Sequence, residues 1–184
     1  MTRTTARRLA VQLSFAENGG SDLDIDGFFA EEYYRTLPAE DGIFSEQPRE
    51  KQLAYIRALV EGVASHRAEL DAAVAKHSRG WKPSRISRTA LTVLRCCLYE
   101  LMYMPDIPVA ASINEAVELA KSFDEPETVS FINGVLGGFV REREAAGIIS
   151  AETAGEALQE LEQTDAEDPA DSSAGESAPD AEES

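Results

Sequence analysis

The sequence predicts an all-α protein, a compact bundle of six to seven helices in one folded body. Apolar residues recur at spacings of three and four along most of the chain. No stretch alternates apolar and polar residues with the β-branched bias of strands, and no Asn-Gly or Asp-Gly hairpin joins two such runs. Glycine and proline fall between the periodic segments, where they punctuate helices.

Ala6, Leu9, Ala10 and Leu13 mark a first helix that stops near Asn18-Gly19-Gly20. A second spans about Ile25 to Arg35, with Phe28, Phe29 and Tyr33 turned inward, and Pro38 to Pro48 reads as a loop. Leu53, Ile56, Leu59, Val60 and Val63 begin a long stripe that Leu70 and Val74 extend, with His66 as the expected break. After Gly80-Trp81-Lys82-Pro83, Ser84 is placed to cap a helix carrying Ile86, Leu91, Leu94, Leu98 and Leu101. Cys96, Cys97, Met102 and Tyr103 make that helix apolar on more than one face, which predicts a central position. Ser112 and Glu115 have capping-box spacing, and Pro126 suits the first turn of a last helix bearing Val129, Ile132, Leu136, Phe139 and Val140.

Charge is segregated along the chain. The 184 residues hold 34 Asp and Glu against 17 Lys and Arg. Thirteen of those acids lie in residues 144–184, which contain no Lys or Arg, so residues 1–143 carry a net charge of only −4. After Thr164 no large apolar residue remains to offset ordering entropy, so residues 147–184 are expected to form an acidic, mostly disordered tail behind a domain of residues 1–146. Residues 150–163 could add a helical turn or two, with little to anchor them. Between Asp71 and Glu100 the only charges are Lys76, Arg79, Lys82, Arg85, Arg88 and Arg95, and a second basic group opens the chain at Arg3, Arg7 and Arg8. Local potential of this kind suits an anionic partner, although a charge cluster also serves simply as a solvated face.

Chemistry-bearing patterns are sparse. His66 and His77 pair with no cysteine at metal-ligand spacing, so neither a metal nor a cofactor is expected. Gly134, Gly137 and Gly138 lie in a helical pattern without a preceding strand, which indicates close helix packing and not a phosphate loop. No nucleophile motif is present, and an enzyme is not expected. Without an apolar run of membrane-spanning length or a secretory leader, and with only the adjacent Cys96 and Cys97, the sequence predicts a cytoplasmic protein.

Three strings carry a family resemblance: Ala6-Arg-Arg-Leu-Ala-Val-Gln-Leu-Ser-Phe15, Val93-Leu-Arg-Cys-Cys-Leu-Tyr-Glu-Leu101, and Ile113-Asn-Glu-Ala-Val-Glu-Leu-Ala-Lys-Ser-Phe123 followed by Phe131-Ile-Asn-Gly-Val-Leu136. In order and spacing over residues 3–142, the chain resembles the NusB family of transcription antitermination factors. The resemblance implies a two-subdomain helical fold that binds boxA RNA of ribosomal RNA transcripts. It further implies action together with NusE, a small-subunit ribosomal protein, in an antitermination complex on RNA polymerase.

By that resemblance Arg3, Arg7, Arg8, Phe15, Lys121, Phe123 and Phe131 are the candidate RNA-binding residues. Cations that meet phosphate and rings that stack on unpaired bases are what single-stranded RNA requires. Arg7 and Arg8 diverge by about 100° around a helix, so the two cannot face one ligand equally. Periodicity alone puts Phe15, Phe123 and Phe131 at core spacing, and Lys121 can balance Glu118 and Asp124. Asn114 and Asn133 are read as backbone-bonding residues at helix ends. Thr4 and Thr5 stand where relatives often carry arginine, and Arg8 where many carry an acid. A protein-protein adaptor with incidental RNA affinity is the alternative function, and some relatives self-associate as homodimers. A third reading, the front end of a ribosomal RNA methyltransferase, would need a following α/β domain.

Overall fold

The computed structural model describes residues 1–18, 23–37, 44, 46–80, 86–123 and 126–166, with the backbone alone for 123 and 164–166. The described residues form helices and connecting turns, with no strand among them. In order these are α1 (Arg3–Glu17), α2 (Ile25–Phe29), α3 (Glu31–Tyr34), α4 (Glu50–Ser65), α5 (Arg67–His77), α6 (Arg88–Tyr103), α7 (Val109–Phe123), α8 (Pro126–Ala145) and α9 (Ala151–Ala166).

α6 is the axis of the bundle, packed against α1 and α4 on one side and against α5, α7 and α8 on the other. Two subdomains result, α1–α4 and α5–α9, sharing a single core. Leu94 and Leu98 of α6 meet it with Leu9 of α1, Ile56 and Leu59 of α4, Ile113 of α7 and Ile132 and Leu136 of α8, each fully buried. Burial of each such side chain contributes about 1.5–3 kcal/mol, which holds α6 between the two halves.

Local chemistry sets the helix ends. Thr2 caps α1, its hydroxyl accepting from the Thr5 amide at 3.0 Å. The long stripe breaks at His66, whose backbone leaves the helical region between α4 and α5, as the sequence indicated. The cap of α6 is Ser87, which accepts from the Ala90 amide at 2.9 Å; the expected cap, Ser84, lies outside the described residues. α7 begins at Val109, directly after Pro108, so the buried Ser112 sits within its first turn and forms no capping box with Glu115. The single helix expected over 25–35 is interrupted at Ala30, whose extended ψ of 131° splits it into α2 and α3.

The largest correction concerns the region after residue 146. α9 is a helix of 16 residues, not a loosely held turn or two, and it packs along α7 and α8. Ala154 and Ala157 are completely buried and Leu161 nearly so, which is the apolar face that anchors it. The rest of the predicted tail, 167–184, lies outside the described residues.

Candidate nucleic-acid interface

α1 presents two stripes, because 100° per residue separates positions that are adjacent in sequence. Arg3 and Arg7 lie on one, and Arg8, Gln12 and Phe15 on the other, all three exposed.

The first stripe borders an open groove of about 430 Å3, whose lining includes Arg3, Thr4, Arg7, Asp106, Asn114 and Glu115. Residues of α1 and the N-terminal half of α7 thus meet at one place. The Thr4 hydroxyl donates to Glu115 at 2.6 Å and ties the two helices together. Arg3 is exposed, its guanidinium 5.9 Å from the centre of the Tyr55 ring.

Arg7 differs. It is 4% exposed, and its Nε donates to both carboxylate oxygens of Glu100, at 2.9 and 3.1 Å. The Tyr55 hydroxyl donates to the same carboxylate. Burial opposes the Arg7 charge, but Glu100, Tyr55 and the hydrogen bond outweigh it and hold the guanidinium above its ordinary pKa. Burial, reinforced by the Glu100 charge, likewise pushes the Tyr55 phenol upward. The expected phosphate contact at Arg7 is therefore corrected, since its charge is committed to an internal ion pair. Arg7 also lines the groove, and its buried Nη2 has no hydrogen-bond partner among the described residues.

On the second stripe Phe15 is 36% exposed. Arg88, at the start of α6, lies 4.3 Å from the centre of that ring and donates to the Phe15 carbonyl at 3.1 Å. One ring face is thereby covered by a guanidinium plane, itself a surface on which a base can stack. Arg88 was visible only as one member of the basic run, and nothing in the sequence tied it to Phe15.

The two strings on α7 and α8 divide in the structure. Lys121 is exposed in the last turn of α7, 3.4 Å from Glu118 and about 10 Å along the helix from Asn114. Phe123 ends α7, and its side chain is outside the described residues. Phe131 is 2% exposed and belongs to the core. The ring is largely enclosed and packs as a core residue, although Phe131 is also among the residues lining a groove beside α8. Asn114 and Asn133 lie inside α7 and α8, not at helix ends, the first exposed and the second buried.

The remaining basic run is also partly committed. Arg95 forms a two-pronged ion pair with Asp71 at 2.7 and 2.8 Å, and Lys76 pairs with Glu142 at 2.6 Å. Lys82, Arg85 and Trp81 lie outside the described residues. Among the described residues no group of three or more His, Cys, Asp or Glu side chains could hold a metal ion. None of their helices is long and apolar enough to cross a membrane.

The NusB family profile matches residues 4–141, which spans α1 through most of α8. The chain belongs to the NusB family. Transcription antitermination protein NusB of Acetivibrio thermocellus is 40% identical over 142 residues, covering 77% of this chain and 90% of the relative. The protein of the same name from Carboxydothermus hydrogenoformans is 39% identical over 137 residues, covering 74% and 91%. Among solved structures, T. maritima NusB superposes with a TM-score of 0.52 at 25% identity, covering 83% of this chain and 96% of that one. The family match therefore contains the lining of the groove between α1 and α7 except Arg3, and it stops short of α9.

Proposed function

We propose that this NusB-family chain is an antitermination factor that binds single-stranded, boxA-type RNA of ribosomal RNA transcripts. It acts with NusE in the complex that helps RNA polymerase resist premature termination, and it works in the cytoplasm. The RNA-binding domain is assigned to residues 1–146, with α9 packed against it as an addition to its core.

The observation that carries the reading is the groove itself. Arg7 of α1 and Asn114 of α7, from two separate family strings, line one open space together with the exposed Arg3. Arg3 and Arg8 are the phosphate contacts on α1, and Lys121 extends the cationic track along α7. The Arg88–Phe15 pair supplies the stacking surface. Arg7 acts from within, its pair with Glu100 fixing how α1 is set against α6. With about 3–4 phosphate contacts on a single strand, log affinity should fall with log salt at a slope of about −2 to −3.

A gel shift tests the proposal, using a boxA-containing RNA and a scrambled control, each with and without NusE. Preferential binding of boxA RNA that strengthens with NusE supports it. Equal binding to both RNAs under both conditions reduces the surface to a generic cationic edge and favours a protein-protein adaptor.

A further inference from the structure

A second groove, of about 510 Å3, lies on the far side of α8, between that helix and the end of α5. Its lining includes His77 and Arg79 from the end of α5 and Gly134, Gly138, Arg141 and Glu142 from α8. Arg79 and Arg141 are exposed, and among the described residues no carboxylate pairs with either. The one acid in the lining, Glu142, is already engaged by Lys76 at 2.6 Å. Gly134 leaves open space where a side chain would stand, while Gly138 lets the His77 ring pack close to α8. The groove is therefore a cationic trough with an open floor.

α9 leads into it. Only residues 146–150 separate α8 from α9, so the two helices run antiparallel. Leu161 fixes the register: its Cδ1 lies 3.6 Å, and Arg141 Nη1 3.2 Å, from the point where a Cβ on Gly137 would be. Continuing from Leu161 to the end of α9 moves the chain about 7 Å back along α8, toward Gly134. Residues 167–184 follow, with seven acids (Glu167, Asp168, Asp171, Glu176, Asp180, Glu182 and Glu183) and no base. At about 3.3–3.6 Å per residue they reach far beyond the length of the trough. α9 has no basic residue in its last turn, so its negative end and the acids after it lack a counter-charge on their own element. Arg141 and Arg79 supply one.

We propose that the trough between α5 and α8 is a docking surface for an acidic peptide, and that its occupant is this chain's own segment 167–184. Carboxylates of that segment pair with Arg141 and Arg79, and the segment lies over Gly134. Two exposed cations are thereby removed from competition for RNA, which leaves the groove between α1 and α7 as the strong cationic surface of the body.

The test uses the full chain carrying Glu176→Cys and a nitroxide on that thiol; Cys96 and Cys97 are buried and stay unlabelled. Paramagnetic broadening of backbone amides is mapped at low salt. Broadening should concentrate at residues 134–141 and around Arg79, and fall at least threefold in about 0.5 M salt. It should fall as far in the Arg79→Ala/Arg141→Ala double variant, whose fold is checked from the unperturbed core amides. Broadening spread evenly over the surface, centred on Arg3 and Arg8, or unchanged in the double variant overturns the proposal.

Discussion

Arg7 and Glu100, 93 residues apart in sequence, form a buried ion pair in which one guanidinium Nε meets both carboxylate oxygens. The pair joins α1 to α6, and Tyr55 of α4 completes it through its hydroxyl. Three helices are thus locked around one carboxylate, directly beneath the groove assigned to RNA.

Breaking that pair from one side leaves a buried charge without compensation. Glu100→Leu should therefore destabilise the fold by about 3–5 kcal/mol. Replacing both partners, Arg7→Met with Glu100→Leu, should recover much of that loss. Urea unfolding of the two variants beside the parent checks the expected order, and equal losses in both would remove the ion pair from the account.

Phe131 is a packing residue on this account, so Phe131→Ala should cost about 3–5 kcal/mol of stability. RNA affinity measured well below the variant's melting temperature should change by less than about threefold. A stable variant with RNA binding lost would return Phe131 to the interface.

Leu161 holds α9 to α8. Leu161→Ala should destabilise by about 2–3 kcal/mol, at the low end for a buried leucine because the helix lies at the margin of the core. Hydrogen exchange should then rise first in amides 151–166. Unchanged exchange there would mean that the two buried alanines of α9 suffice.

Burial pushes the Cys96 thiol up to about 12, and Cys97 upward as well. Both keep their protons when folded at a pH where an unfolded thiol, near about 8.5, loses its own. The unfolded state binds fewer protons there, so the contribution is full below about pH 8.5 and stability declines as pH rises above it. Disulfide-exchange reagents at pH 8 should find both thiols silent in the native protein and both reactive in denaturant.

Much of the fold was legible because apolar spacing records burial directly: the central α6, the break at His66 and the start of α8 at Pro126 all follow from local pattern. The Ala30 interruption was not, since it changes the backbone without changing the apolar rhythm. The full length and the anchoring of α9 were missed because two of its three buried anchors are alanines, whose burial leaves little hydropathy signal. In the interface, sequence exposed the basic residues but not their partners. Arg7 shares its stripe with the buried Ala10 and Ser14, and Glu100 interrupts the apolar face of α6. Opposite charges embedded in two core stripes were the available sign of an internal pair. Phe15 and Arg88 carried no comparable sign, because only the crossing of α1 and α6 brings them together.

The central claim is that exposed α1 cations, Arg3 and Arg8, grip unpaired RNA while buried Arg7 does not. Fluorescence anisotropy of a labelled boxA RNA across a salt series measures this directly for Arg8→Ala and Arg3→Ala. Each variant should weaken binding and make the salt slope shallower by about 0.7 per lost contact. A parent slope near zero, or slopes identical in parent and both variants, would contradict the account.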